Sequence, residues 1–237
     1  MTEGSVRVLQ TVEHQCGYFP GRKARNLVID PGADGQKSIY DAVATSGFRR
    51  AGNLIYRPHC RSCQACEATR LLVANFHPNR NQKRCARDNS DLEVSLAEAR
   101  FKPEYFELYQ RYLNQKHPAG GMDAPEAEDF ESFLLSNWCK SLFLEFRLGN
   151  ELLAVAVTDH LGGGLSAVYC FYAPDRSERS LGTFAILQQI ELTRAYKLPY
   201  LYLGYWIENH PKMHYKKNFH GLELFRTGQW LGMEANS

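Results

Sequence analysis

The sequence predicts an α+β protein. A C-terminal domain built on a mixed, mostly antiparallel sheet follows a smaller, loop-rich N-terminal domain that carries most of the cysteines. Three observations lead there. From residue 91 the hydrophobic period changes in the order strand, helix, helix, three strands, helix, strand. The stretch "SLGTFAILQQIELTRAYKL" (180–198) is apolar almost all round, as a buried crossover helix must be. Residues 1–90 are instead punctuated by "FPGRKAR" and "DPGADGQ", whose Pro-Gly and Asp-Gly pairs are turn signals. The expected domains are therefore 1–90 and 91–237.

Each element has its own warrant. "SIYDAVATSGF" reads as a short helix ending at Gly47, a glycine C-cap. "FHPNRNQKRCARDNSDL" reads as a basic connector. "LEVSLAEARF" alternates like a strand. Pro103 suits a first helical turn, and Tyr105, Tyr109, Tyr112 and Leu113 then share one helical face. Asp123 before Pro125 and Glu126 marks a second helix start, with Phe130, Phe133 and Leu134 at helical spacing. "LFLEFRL" alternates again. "LLAVAVT" and "LSAVYCFY" flank "DHLGGG", a hairpin whose loop opens at Asp159-His160. "YLYLGYWI" (200–207) and "LELFR" (222–226) are the last strands. A mostly antiparallel sheet with one late crossover helix matches the N-acyltransferase (GNAT-type) fold, an analogy that carries no function alone.

Bulk numbers narrow the class. The 237 residues are 44% hydrophobic and 23% charged, ordinary for a soluble globular chain able to bury a core without disulfide staples. No run approaches the roughly 20 apolar residues of a membrane helix. The start, "MTEGSVRVLQTVEHQC", lacks a basic segment followed by an apolar one, so a cytoplasmic location is expected, with the seven cysteines reduced. The net charge of +2 hides an asymmetry. Residues 47–87 hold Arg49, Arg50, Arg57, Arg61, Arg70, Arg80, Lys83, Arg84 and Arg87 against Glu67 alone, and an acidic stretch follows. A block this rich in arginine either faces a polyanion or pairs with the acidic stretch.

Four places offer chemistry. "RSERSLGTF" sets Arg176, Arg179, Ser180, Gly182 and Thr183 at a helix N-terminus, where free N–H groups suit a phosphate; an ordinary Ser cap is the alternative. Gly204 inside "YLYLGYWI" marks a bulge or a close approach, with Tyr205 beside it. "MHYKKNF" places Tyr215, Lys216 and Lys217 just beyond that strand. Asp159 can orient an amine or simply serve a turn, and the turn is the plainer role. Tyr205, Tyr215 and Asp159 are the catalytic candidates; His117 reads as structural. Finally "YRPHCRSCQAC" spaces Cys60, Cys63 and Cys66 three apart. Cys85, Cys139 and Cys170 read as small buried residues.

Taken together, "CGYFPGRKAR", "GFRRAGNLIYRPHCRSCQAC", "NRNQKR", "LLAVAVTD", "SLGTFAILQQIE", "YLYLGYWI" and "MHYK" run in this order over nearly the whole chain. They resemble the bacterial aspartate/glutamate leucyltransferases, relatives of the arginyl-tRNA–protein transferases. The resemblance implies transfer of leucine from Leu-tRNA to proteins beginning with Asp or Glu, as a degradation tag, with no membrane or DNA partner. Arg49, Arg50, Arg57 and Lys216 then become candidates for the acidic N-terminus, with Arg22 also considered. Arg80, Lys83, Arg84, Arg179, Ser180, Gly182 and Thr183 become candidates for the tRNA. An α-amine of pKa about 7.7–8 attacking an ester needs positioning more than a strong base. The resemblance also makes Cys16, Cys60, Cys63 and Cys66 a candidate iron–sulfur or zinc set, the alternative being reduced thiols; transfer itself requires no cofactor. The pairing departs from that of the eukaryotic relatives, since Tyr18 and Phe19 follow Cys16. Two other functions stay open: a coenzyme A-dependent N-acetyltransferase and a non-catalytic RNA-binding zinc-knuckle protein.

Overall fold

An eight-stranded mixed sheet organises the molecule. The computed structural model describes residues 6–116 and 125–233, so His117 and Asp123 lie outside the described residues. A small sheet forms first, from β1 (Val8–Gln10), β4 (Asn26–Ile29), β6 (Leu54–Pro58) and β5 (Arg49–Ala51), in that spatial order. A two-stranded ribbon, β2 (His14–Gln15) and β3 (Lys23–Ala24), precedes β4. Helix α1 (Gln36–Ala44) covers the small sheet with Tyr40 and Ala44, four residues apart on one face. It stops three residues short of Gly47, which turns the chain at φ +81°. The first 90 residues are thus richer in strands than their turn signals suggest.

The large sheet runs β14 (Gln229–Gly232), β13 (Leu222–Arg226), β7 (Glu67–Leu72), β12 (Tyr200–Trp206), β11 (Gly164–Tyr172), β10 (Glu151–Leu161), β9 (Ser141–Leu148), β8 (Glu93–Glu98). Among the described residues only β11 and β12 pair in parallel. β7 belongs to this sheet, antiparallel to β12 on one side and β13 on the other. The sheets therefore divide between Pro58 and Glu67, not at residue 90. The hairpin turn lies at Gly162–Gly163, so Asp159 and His160 are strand residues, not its opening.

Two helices sandwich the β9–β11 half. α3 (Pro103–Lys116) lays Tyr105 against Phe143 and Tyr109 against Phe171. The crossover helix α5 (Leu181–Ala195) meets the other face, with Phe184 on Phe146. α4 (Ala127–Leu134) adds Phe130 to the α3 side. Phe143, Phe146 and Phe171 are fully buried, and truncating any one to Ala costs about 3–5 kcal/mol. Tyr202 of β12 packs with Tyr40, Ile55 and Leu161, while Leu201 and Leu203 pack with Ile186 and Ile190 of α5. Strand alternation thus seats the small sheet on one face of β12 and α5 on the other.

The "connector" is a helix, α2 (Arg80–Asp88). Asn79 and Gln82 close a capping box: the Asn79 side chain accepts from Gln82 N–H (3.0 Å) and the Gln82 side chain from Asn79 N–H (2.9 Å).

Candidate active site

β11 and β12 pair only from Gly164–Ser166 against Tyr200–Tyr202, then diverge. Gly204 marks the break on β12. Its φ is +75°, and the register against β7 shifts between Tyr202 and Gly204. A Cβ at 204 would overlap the Arg49 guanidinium, so a glycine is required for that group to lie against the strand. Arg49 Nη2 donates to the carbonyls of Ala167 (2.7 Å) and Val168 (2.9 Å) on β11. One guanidinium thereby fills the fork between the two strands.

Lys216 meets the same stretch of β12. It belongs to a 3-10 turn, His214–Asn218, and only 5% of it is exposed. Its Nζ donates to Leu203 O (2.7 Å) and Tyr205 O (2.5 Å), the carbonyls flanking Gly204. Desolvation, with the Arg49 charge adding to it, lowers the ammonium pKa to about 7. Among the described residues, carboxylates pair with Arg50, Arg70, Arg147, Arg179 and Arg226, but none pairs with Arg49 or Lys216. Two neighbouring cations without a counter-anion in a desolvated fork are costly to keep. A buried group perturbed as Lys216 is marks a candidate functional site.

The other candidates fall into different places. Arg50, next to Arg49 on β5, points to the opposite face. Its guanidinium grips Asp159 twice (Nε and Nη2, 2.6 Å each), and both side chains are wholly buried. Ser141 Oγ also donates to Asp159 (2.7 Å). Asp159 and Arg50 thus satisfy each other in the core, so neither faces the fork; this corrects the expectation of an amine-orienting or turn aspartate and a substrate-facing arginine. Arg57 donates to Ser46 O (2.9 Å) and stacks on Phe48, away from the fork. Tyr205 OH donates to Gly47 O (3.0 Å), tying the small sheet to β12; burial, with Tyr56 nearby, holds this phenol well above its ordinary pKa. Tyr215 is 40% exposed overall, yet enclosure of its hydroxyl, with Cys170 near, pushes its pKa up to about 12. Both tyrosines stay protonated as donors. Tyr18, which the motif reading left without a role, lies in the field of Arg49; burial and Tyr56 push it up to about 12.

Cys16, Cys60, Cys63 and Cys66 line one cavity of about 30 Å³, with Arg22. Cys16 Sγ accepts the N–H groups of Tyr18 and Phe19 (3.5 Å each), and Cys63 Sγ accepts from Arg22 Nη1 (3.8 Å). Burial, then the other three thiols, pushes Cys66 up to about 12. The residue types and their convergence suit zinc or an iron–sulfur centre. Their spacing does not: among the described residues no three His, Cys, Asp or Glu side chains are placed to hold a metal ion. All seven cysteines are unpaired thiols.

A basic face adjoins the fork. Arg80, Lys83 and Arg84 are exposed on one side of α2. The start of α2 docks on the Lys216 turn, where Asn79 and Gln82 side chains both donate to Asn218 O (3.2 Å each). Its far end docks on the start of α5 through Asn89, which donates to Arg179 O (2.7 Å). There the expected phosphate corner is altered. Arg179 forks onto Asp91 (2.9 Å, twice), and Ser180, at φ 51°, makes no side-chain cap. Gly182 faces the Tyr172 ring, and Thr183 N–H bonds Ser180 O (2.9 Å).

The molecule is thus an α+β protein with a splayed mixed sheet, a fork closed by Arg49 and Lys216 and a basic helix beside it. FemX shares the fold, with a TM-score of 0.50 at 8% identity over 85% of this chain and 69% of that one. The chain belongs to the arginine-tRNA-protein transferase family: residues 14–84 match the family's N terminus and 104–226 its C terminus. It is similar to proteins named aspartate/glutamate leucyltransferase. In Stenotrophomonas maltophilia the identity is 49% over 96% of this chain and 93% of the relative. In Marinobacter nauticus it is 45% over 95% of each, and in Pseudomonas aeruginosa 44% over 98% and 100%. The resemblance read from the motifs is borne out.

Proposed function

We propose that the chain transfers leucine from Leu-tRNA to the α-amine of proteins beginning with Asp or Glu, with the fork as the place of transfer. The observation that carries this is that Arg49, a guanidinium without a carboxylate partner among the described residues, and the buried Lys216 amine together close the split between β11 and β12. Arg49 receives the acidic side chain of the substrate, a charged hydrogen bond being worth about 1.5–3 kcal/mol. The tRNA lies over α2, which leads to the same turn that supplies Lys216. In the reaction the amine nitrogen attacks the ester carbonyl, the C–N bond forms and the bond to the ribose oxygen breaks. Tyr215, held protonated beside the Lys216 turn, is the candidate donor for the developing oxyanion.

This reading extends to a GNAT-type scaffold, a cytoplasmic location and a degradation tag. Among the described residues no helix is long and apolar enough to cross a membrane. The cysteine cavity, as its side chains stand, is a cluster of reduced thiols and carries no step of this reading. Coenzyme A as donor is disfavoured on one observation. The carbonyls of Ala167, Val168, Leu203 and Tyr205 at the fork already accept from Arg49 and Lys216, so the amide arm of a thioester would compete with both for them.

The deciding assay offers labelled Leu-tRNA, Arg-tRNA or acetyl-coenzyme A with peptides beginning Asp, Glu, Asn or Lys. Leucine on the Asp and Glu peptides alone is the expected result. Acetylation without tRNA, or RNA binding without transfer, would establish a rival.

A further inference from the structure

We propose that Lys216 is the proton acceptor for the α-ammonium group of the incoming protein, and that the acidic side chain of that protein strengthens it by reaching Arg49. This rests on the fork being the transfer site. The geometry is specific. The Leu203 and Tyr205 carbonyls hold two hydrogens of Nζ. A lysinium has three N–H donors, a neutral lysine two and a lone pair. With two positions fixed, the third is either the proton that leaves or the lone pair that receives one.

The charged group that acts on it is Arg49 on β5; Tyr215 and Lys217 flank it on its own turn, Cys170 and Tyr172 on β11 lie by Tyr215, and Tyr205 on β12 offers it a backbone carbonyl. Burial raises the pKa of both the tyrosines and Cys170, so none of them is an anion at neutral pH. Burial first, and the Arg49 charge second, keep Nζ free to accept a proton near pH 7.

The step balances as follows. The α-ammonium gives one proton to Nζ. The freed nitrogen bonds the ester carbonyl carbon, and the second proton it must lose passes to the 3′-oxygen as the C–O bond breaks. Nζ returns its proton to solvent after product leaves. A substrate carboxylate against Arg49 cancels part of the charge that weakens Lys216, so Nζ becomes the stronger base when Asp or Glu is bound. Asn cannot do this. Acid selectivity then shows in the transfer step as well as in binding, and general-base help contributes about 10²- to 10⁴-fold.

The test is the titration of Lys216 in wild-type enzyme labelled with [13C]lysine, its Cε resonance assigned with Lys216→Arg. The expected midpoint is near 7, moving up about one unit with an Asp-peptide and staying put with an Asn-peptide. In single-turnover transfer, the acid limb of wild type should differ by about one unit between an Asp- and an Asn-peptide, and Lys216→Met should bring both to the amine's own value of about 7.7–8. The loss, about tenfold or more at pH 6.5, should be recovered at pH 9. A resonance titrating near 10, or a difference in acid limb between the Asp- and Asn-peptides that Lys216→Met leaves in place, overturns the proposal. If transfer persists while Lys216 titrates near 10, the base assignment falls and the function stands; if wild type transfers nothing from Leu-tRNA, both fall. Should Lys216→Met not fold, the wild-type titration decides alone.

Discussion

Arg49 and Arg50 are chain neighbours sent to opposite faces by the alternation of β5, and their environments assign them opposite duties. Arg50 is a structural cation, matched to Asp159 with both groups out of water. Removing one partner strands the other charge. Arg50→Met or Asp159→Leu alone should cost about 3–5 kcal/mol, a fall in melting temperature on the order of 10 °C. The double change should recover most of it, read by thermal denaturation. Arg49→Met should leave melting nearly unchanged and reduce the Asp-over-Asn preference roughly 10- to 100-fold, with Leu-tRNA binding intact. An equal loss of both would move Arg49 to the tRNA surface. Lys216 makes a separate prediction about stability. Its folded pKa, about 7, lies below the unfolded value, so between the two the unfolded chain binds more protons. Stability should therefore rise with pH from about 7 toward 10, by at most about 1.4 kcal/mol per unit. Lys216→Met should flatten that rise in denaturant titrations run across the range.

At the scale of elements, α2 is the clearest lesson. Its Arg and Lys residues make "NRNQKRCARD" look like a solvated connector, yet Asn79 and Gln82 spell a capping box that was there to be read. Cys85 and Gln82 face inward while Arg80, Lys83 and Arg84 face out. Changing those three to Gln should weaken Leu-tRNA binding and lower the slope of log affinity against log salt by about 2–3. Peptide selectivity and melting should hold. β12 shows the converse. Its glycine announced a close approach from sequence alone, but the approaching group comes from β5, 155 positions away (204 minus 49). No local pattern names such a partner.

At the scale of the molecule, β7 stitches the two halves. Leu71 sits in the core formed with α5 and β12, and Arg70 pairs with Glu223 (2.6 Å) while stacking on Tyr200. A fragment of residues 91–237 lacks β7 and leaves β12 and β13 without the strand between them. It should express as an unfolded or aggregating chain, without a cooperative melt by circular dichroism. A cooperative transition in 91–237 would show that β7 is dispensable to the sheet.

The sequence by itself determined the α+β class, the order of elements after residue 91, the fork's glycine and the family, because periodicity, turn residues and motif order are local or additive. It also brought Arg49 and Lys216 onto the candidate roll. Only the tertiary structure decided that these two share the fork while Arg50 is locked to Asp159, that Arg179 belongs to Asp91, and that β7 crosses between the halves. Those outcomes depend on which buried charge finds a counter-charge and which strand edge finds a partner. Both are settled by contacts between residues far apart in the chain, where composition and spacing carry no signal.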